Sequence, residues 1–236
     1  TEHCSLKNLL GDLYMKYLII ILLAFSCFLY SYNSKDINSF YNSYYSANYD
    51  IKEIENNSSQ TDKNIYHLVY SKTIVNEKEK YNYLKKAIEE NNDYEKSDDI
   101  DYLISVSELM NYIIYFSNLP EKISFGSKSK DIYEKILEKD SKNFFALLGT
   151  GVGYMHAPAI AGGSNKKAFE YFNKALINAK EEYQKYLSYI WLSQYYFKTK
   201  DEENYQKYIN MCKRVYPKGE LLKEALDRNN INKKHL

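Results

Sequence analysis

The sequence predicts an all-α protein of antiparallel helical hairpins stacked in one array, and three observations carry that expectation. From about residue 63 onward apolar residues recur at three and four spacing, with none of the sustained alternation that a half-buried strand needs. Only three prolines and eight glycines interrupt 236 residues, which suits long helices better than a many-turned β-sandwich. Short polar segments separate the periodic stretches, and short connections bring consecutive helices back against each other.

The elements follow in chain order. Residues 34–62 are rich in Ser, Asn and Tyr without a clear helical face, so a linker is expected there, with a short helix around 37–49 and a break at Asn56-Asn-Ser-Ser-Gln60. A helical-repeat domain is expected over 63–228. Its helices fall at 63–75, 77–91, 97–118, 129–139, 143–155, 165–178, 181–198, 201–215 and 219–227, with a polar tail over 229–236. Asn91-Asn-Asp93 and Lys96-Ser-Asp-Asp99 supply turn and N-cap chemistry, Leu119-Pro120 is read as a helix end, Gly126-Ser127 as a separator, and Pro217-Lys-Gly219 as another end.

Charge excludes one class of partner. Lys and Arg number 32 against 31 Asp and Glu, a balance that leaves no net field to gather phosphate backbones or anionic lipid, so nucleic acid is not expected to bind and a membrane is expected only through a lipid anchor. Tyrosine is abundant, with 27 residues, beside 10 Phe and the single Trp191. A tyrosine ring packs while its hydroxyl stays wet, which fits thin helical layers and also the walls of clefts.

The N-terminal region reads as an address. Met15-Lys16 precedes the apolar run Tyr17-Leu-Ile-Ile-Ile-Leu-Leu-Ala-Phe-Ser-Cys-Phe-Leu-Tyr30, and polar Ser31-Tyr-Asn-Ser-Lys-Asp36 follows, so residues 15–33 are expected to be a signal peptide. The run is short of the about 20 residues of a spanning helix, with an uncleaved anchor as the alternative. Residues 1–14 precede a better initiator and are read as an upstream extension, which removes His3 and Cys4 from functional argument. Cys27 in Leu23-Ala-Phe-Ser-Cys27 resembles a loose lipobox, where acylation would tether the chain to a membrane; the bulk of Phe25 departs from that pattern. Cys212 is then the one cysteine of the body, so no intrachain disulfide supports the fold.

A repeat of about 34 residues emerges from the helices. Leu192-Ser193-Gln194-Tyr195-Tyr196 opens one unit, Tyr205, Ile209 and Cys212 take the packing positions of its second helix, and Pro217 ends it. Because Tyr205 is large for its position, this hairpin is expected to splay or to take the ring at its outer edge. Gly151-Val-Gly-Tyr154 opens the preceding unit, with Ala168, Phe172 and Ala175 in its second helix. Weaker copies lie at Ser129, Tyr133, Ile136 and Ser141 and at Leu84-Lys-Lys-Ala87. Small residues let two helices approach while the large one fills the groove between them. These positions resemble the tetratricopeptide hairpin. The loop from Met155 to Asn165 is about five residues longer than the regular repeat allows.

With that loop, residues of about 65–228 resemble the helical T component of tripartite ATP-independent periplasmic transporters, on Tyr154, Ala157-Pro158, Gly162-Gly163 and Lys167-Ala168. The resemblance implies an exported, often lipid-anchored protein acting beside a periplasmic solute-binding protein in substrate capture.

Candidate sites follow. Tyr154, His156, Pro158, Gly162 and Gly163 form either a structural corner launched again at Ser164 or the rim of a ligand cleft. Tyr189, Trp191 and Tyr196 belong to an aromatic stripe that is either core or a groove for a peptide or small apolar ligand. His156 has no Cys, Asp or Glu at ligand spacing, so no metal is expected, and no cofactor. Gly149-Thr-Gly151-Val-Gly153 has no strand before it, and Gly162-Gly163-Ser-Asn-Lys166 lacks phosphate-loop spacing. Cys212 reads as packing rather than nucleophile, and Lys128, Lys130, Lys166 and Lys167 as solvated. Three functions stand: an exported binding or scaffold protein with a protein partner, a structural envelope protein without a ligand, and an envelope hydrolase with His156 as general base.

Overall fold

The computed structural model describes residues 41, 44–46, 59–232 and 236. The expected upstream extension, the signal region and Cys27 lie outside the described residues. What is described is all helical. Nine α-helices run in order among the described residues: α1 (Gln60–Thr73), α2 (Glu77–Glu89), α3 (Ile100–Ile113), α4 (Leu119–Lys139), α5 (Phe144–His156), α6 (Asn165–Asn178), α7 (Glu182–Thr199), α8 (Glu202–Val215) and α9 (Glu220–Asp227).

Side-chain caps start most of them. Ser59, Asn76, Asp99, Asn143, Ser164 and Asp201 each accept a hydrogen bond from a backbone N–H of the first turn, at about 1 kcal/mol per cap. Asn118 and Glu121 form a reciprocal capping box at the start of α4. That box explains the main departure from the sequence expectation. Pro120 opens α4 instead of ending a helix, because a first-turn residue has no intrahelical partner for the N–H that proline lacks. Helix α4 then continues through Gly126-Ser127, where a separator was expected, and α3 ends early in a 3-10 turn over Ile114–Phe116.

Helices pack in series, each against its predecessor. Ring and side-chain contacts give the directions. Phe197 meets Tyr205 and Tyr189 meets Tyr208, so α7 and α8 are antiparallel. Phe145 meets Tyr183 and His156 meets Trp191, so α5 and α7 run the same way. Gly149 lies against the Tyr133 ring while Ala146 joins the core cluster of Ile136, which sets α4 against α5.

The core is aliphatic with polar cross-ties. Leu103, Val106, Met110, Ile132 and Ile136 bury one face of α3 and α4, while Leu84 and Ala87 of α2 meet Leu109 and Ile113. Asn64 of α1 donates to Asn91 Oδ1 at 3.0 Å and to Ser105 Oγ at 2.9 Å, joining three elements inside the protein. The expected packing positions Ala168, Phe172, Ala175, Ile209, Cys212, Ser129 and Tyr133 are all buried; Ser141 instead sits exposed in a turn. Tyr205 is not at an outer edge. Its ring is buried against Phe197 and its hydroxyl accepts from Asn229 at 3.1 Å.

Most of the expected linker over 34–62 lies outside the described residues. Helix α1 begins inside that stretch at Gln60, and Tyr44 and Tyr45 are packed against the array.

Candidate functional site

The loop that follows α5 is a tightly determined corner. The Gly163 N–H donates to the Pro158 carbonyl at 3.0 Å and the Ser164 N–H to the Tyr154 carbonyl at 3.0 Å, folding the loop back on the helix it leaves. Gly162 has φ of +85°, a left-handed conformation that glycine adopts without steric cost. A Cβ at Gly163 would stand 1.8 Å from the Ala157 carbonyl oxygen, so only glycine fits. Ser164 then caps α6.

The side chains around this corner divide between two neighbours. Tyr154 packs on Tyr171 at 5.6 Å between ring centroids, with the Lys167 ammonium 5.0 Å from its ring centre. His156 is exposed and meets the Trp191 ring edge-on at 5.9 Å. Lys198 reaches across from α7 to donate to the Met155 carbonyl, which ties the end of α5 to α7, and burial lowers its pKa. Among the described residues no group of three His, Cys, Asp or Glu side chains could hold a metal ion. Pro158 is exposed on the outside of the corner.

The aromatic stripe of α7 splits into two sides. Tyr189 and Tyr196 both meet Tyr208 of α8, at 6.1 and 5.6 Å, and Tyr196 also meets Phe169 of α6 at 6.0 Å. Trp191 lies on the other side, stacked on Phe172 at 6.2 Å and facing His156. One groove containing all three rings is therefore not formed. Cys212 is fully buried, and that burial pushes its thiol pKa up, away from the thiolate a nucleophile needs.

A second surface, absent from the sequence reading, is formed by the odd-numbered helices. Tyr44 accepts a hydrogen bond from Lys72 of α1, whose ammonium also lies 4.8 Å from the Tyr44 ring centre and 5.6 Å from that of Tyr112 on α3. Tyr45 stacks on Tyr183 of α7 at 6.2 Å, and Tyr183 in turn stacks on Phe145 of α5 at 6.1 Å. Burial raises the Tyr45 phenol well above its ordinary value, with the Glu108 carboxylate of α3 adding to the effect. Tyr186 completes the surface, its hydroxyl accepting from the Leu222 N–H of α9 at 2.9 Å. Gly219 sits where a Cβ would meet both that hydroxyl and the Tyr45 carbonyl oxygen. Two adjacent rings of the chain are thus seated across α1, α3 and α7. The signal for this surface was the pairing of Tyr44 and Tyr45 in sequence, which composition alone does not separate from the other tyrosines.

Comparison with family models, curated proteins and solved structures finds no match. Fold and site define an all-α protein of helices packed in series, with a corner after α5 and an aromatic surface on its odd-numbered helices.

Proposed function

We propose that this chain is an exported, tetratricopeptide-like binding or scaffold protein that takes a segment of a protein partner on the surface of its odd-numbered helices. The observation that carries the reading is the seating of Tyr44 and Tyr45 across α1, α3 and α7. A surface that holds two aromatic residues of its own chain by ring stacking and a lysine hydrogen bond has the chemistry to hold a similar segment of another. The approach of Gly151 to Phe172, and the burial of Ala168, Ala175, Ile209 and Cys212, support the repeat assignment.

In this reading the partner is a periplasmic solute-binding protein, the T-component role that the loop of Ala157-Pro158 and Gly162-Gly163 suggests, with Cys27 as a lipid tether. The corner itself serves as structure: its glycines are fixed by φ and by close approach, and Tyr154 is engaged by Tyr171 and Lys167. The reading is one of binding without catalysis, metal or cofactor. A pull-down from the native envelope with the full chain, followed by mass spectrometry, tests it. Recovery of a solute-binding protein, weakened by Lys72→Ala, supports the proposal; a chain that returns with no protein partner favours a purely structural role.

A further inference from the structure

The seat of Tyr44 and Tyr45 has three parts, and each meets a different feature of the segment it holds. The first is a cation. Lys72 of α1 donates to the Tyr44 hydroxyl, and its ammonium makes no ion pair among the described residues. A neutral phenol oxygen thus stands where a carboxylate would form a charge-assisted hydrogen bond with the same ammonium. The flexible stem of the lysine lets its head follow an oxygen carried on a shorter side chain. Nearby Arg228 is already engaged, by Glu224 at 2.9 Å and by the Tyr115 ring at 5.0 Å.

The second part is a ring slot. Tyr45 stacks on Tyr183 with planes 10° apart and lies against Tyr186, at 6.2 Å between centroids in both pairs. After burial, the Glu108 carboxylate is what most raises the Tyr45 phenol, so this position faces negative charge. An acidic side chain here would lose the stack and meet a like charge. Two adjacent positions of the seated segment therefore have opposite electrostatic preferences. The third part is clearance for backbone. A Cβ at Gly219 would stand 3.0 Å from the Tyr45 carbonyl oxygen, so the missing side chain lets the seated main chain lie against the start of α9. That contact is to backbone, and a foreign segment would meet it as residues 44–46 do.

We propose, on the partner reading above, that the segment taken from the partner carries an acidic residue immediately followed by an aromatic one. The carboxylate meets Lys72 in the place of Tyr44, and the ring lies on Tyr183 and Tyr186 in the place of Tyr45. Tyr44 is then a neutral stand-in, and the incoming segment competes with residues 44–46 for the seat.

The test uses the full chain carrying Tyr45→Ala, in which the chain's own ring no longer fills the slot. Two labelled peptides with the sequence of residues 42–48 are the probes, one with Tyr44→Glu and one with Tyr45→Glu. Fluorescence anisotropy should show the first bound about tenfold more tightly than the second, a preference that added salt weakens and Lys72→Gln removes. Equal binding, the reverse order, no binding of either peptide, or a preference that survives Lys72→Gln overturns the proposal. Should Tyr45→Ala fail to fold, the same question is put to the seated segment itself through amide exchange at Ser46. Protection kept in Tyr44→Glu and lost in Tyr45→Glu is expected, and equal loss in both overturns the proposal. The partner reading fails separately, when the native envelope yields no protein partner although the peptide preference holds. Recovery of a partner without that preference sinks only the acidic-aromatic order.

Discussion

Gly151 of α5 lies directly against the ring of Phe172 of α6: a Cβ built on Gly151 would stand 2.6 Å from two ring carbons and 3.3 Å from the Ala168 carbonyl oxygen. Two residues on, Gly153 has nothing within 4 Å of the same position. Substitution by alanine is therefore expected to act with opposite signs. Phe172 is fully buried and stacked on Trp191, so Gly151→Ala should cost about 1–3 kcal/mol. Gly153→Ala should stabilise by about 0.5–1 kcal/mol through helix propensity. Urea unfolding followed by circular dichroism measures both, and a Gly151→Ala chain as stable as the parent would contradict this packing.

The corner after α5 gives a second ordered pair. Gly162→Ala meets open space but must hold φ at +85°, at a cost of about 1–2 kcal/mol. Gly163→Ala meets backbone at 1.8 Å and cannot be accommodated without moving the loop. Thermal unfolding should rank Gly163→Ala well below Gly162→Ala, and amide exchange at Gly163 and Ser164 should rise in the former.

Asn64 ties α1 to Asn91 and Ser105 through bonds buried from water. Asn64→Ala removes those bonds and opens a small cavity, leaving the Asn91 Oδ1 without its donor. A loss of about 2–3 kcal/mol is expected in the urea midpoint analysis. A neutral result would mean that the three side chains do not share one buried network.

The pH dependence has two separable windows. His67 Nδ1 lies 2.7 Å from the Tyr83 hydroxyl and Nε2 lies 3.5 Å from Glu90. Burial lowers the His67 pKa and outweighs the Glu90 carboxylate, which acts in the opposite direction. The unfolded chain therefore takes up the proton first as pH falls, so the contribution is present above the unfolded value of about 6.5 and is lost below it. His67→Gln should flatten stability between about pH 7 and 5. The steeper acid loss should remain. There Asp98, Glu121 and Asp201 protonate, and their hydrogen bonds to Lys139, Tyr81 and Asn204 hold their pKa values below the ordinary range. Their contribution is present above ordinary carboxylate values and is lost as pH falls through the lowered ones.

Much of the helical order was legible because each helix carries its own local signal. Asn76, Asp99, Asn143, Ser164 and Asp201 mark starts, and spacing marks the buried face at Ala168, Phe172 and Ala175. Pro120 misled because proline both ends helices and opens them, and only the capping pair Asn118 and Glu121 decides which. The division of the aromatic stripe was readable in principle. Tyr189 and Tyr196 are seven residues apart and share a helix face, while Trp191, two residues from Tyr189, falls on the other side. The seat of Tyr44 and Tyr45 was not readable, since it depends on rings from α5 and α7 that lie far along the chain.

The most direct test of the central claim places a photo-activated cross-linking residue on the odd-numbered surface, at Tyr112, and a control at Ile177. Irradiation in the native envelope, followed by mass spectrometry, reads what each position touches. The probe at 112 should form an intramolecular adduct with residues 44–46 and an intermolecular adduct with a solute-binding protein, and the probe at 177 should form neither. Absence of any intermolecular adduct at 112, or the same protein adducts at both positions, would contradict a binding role for this surface.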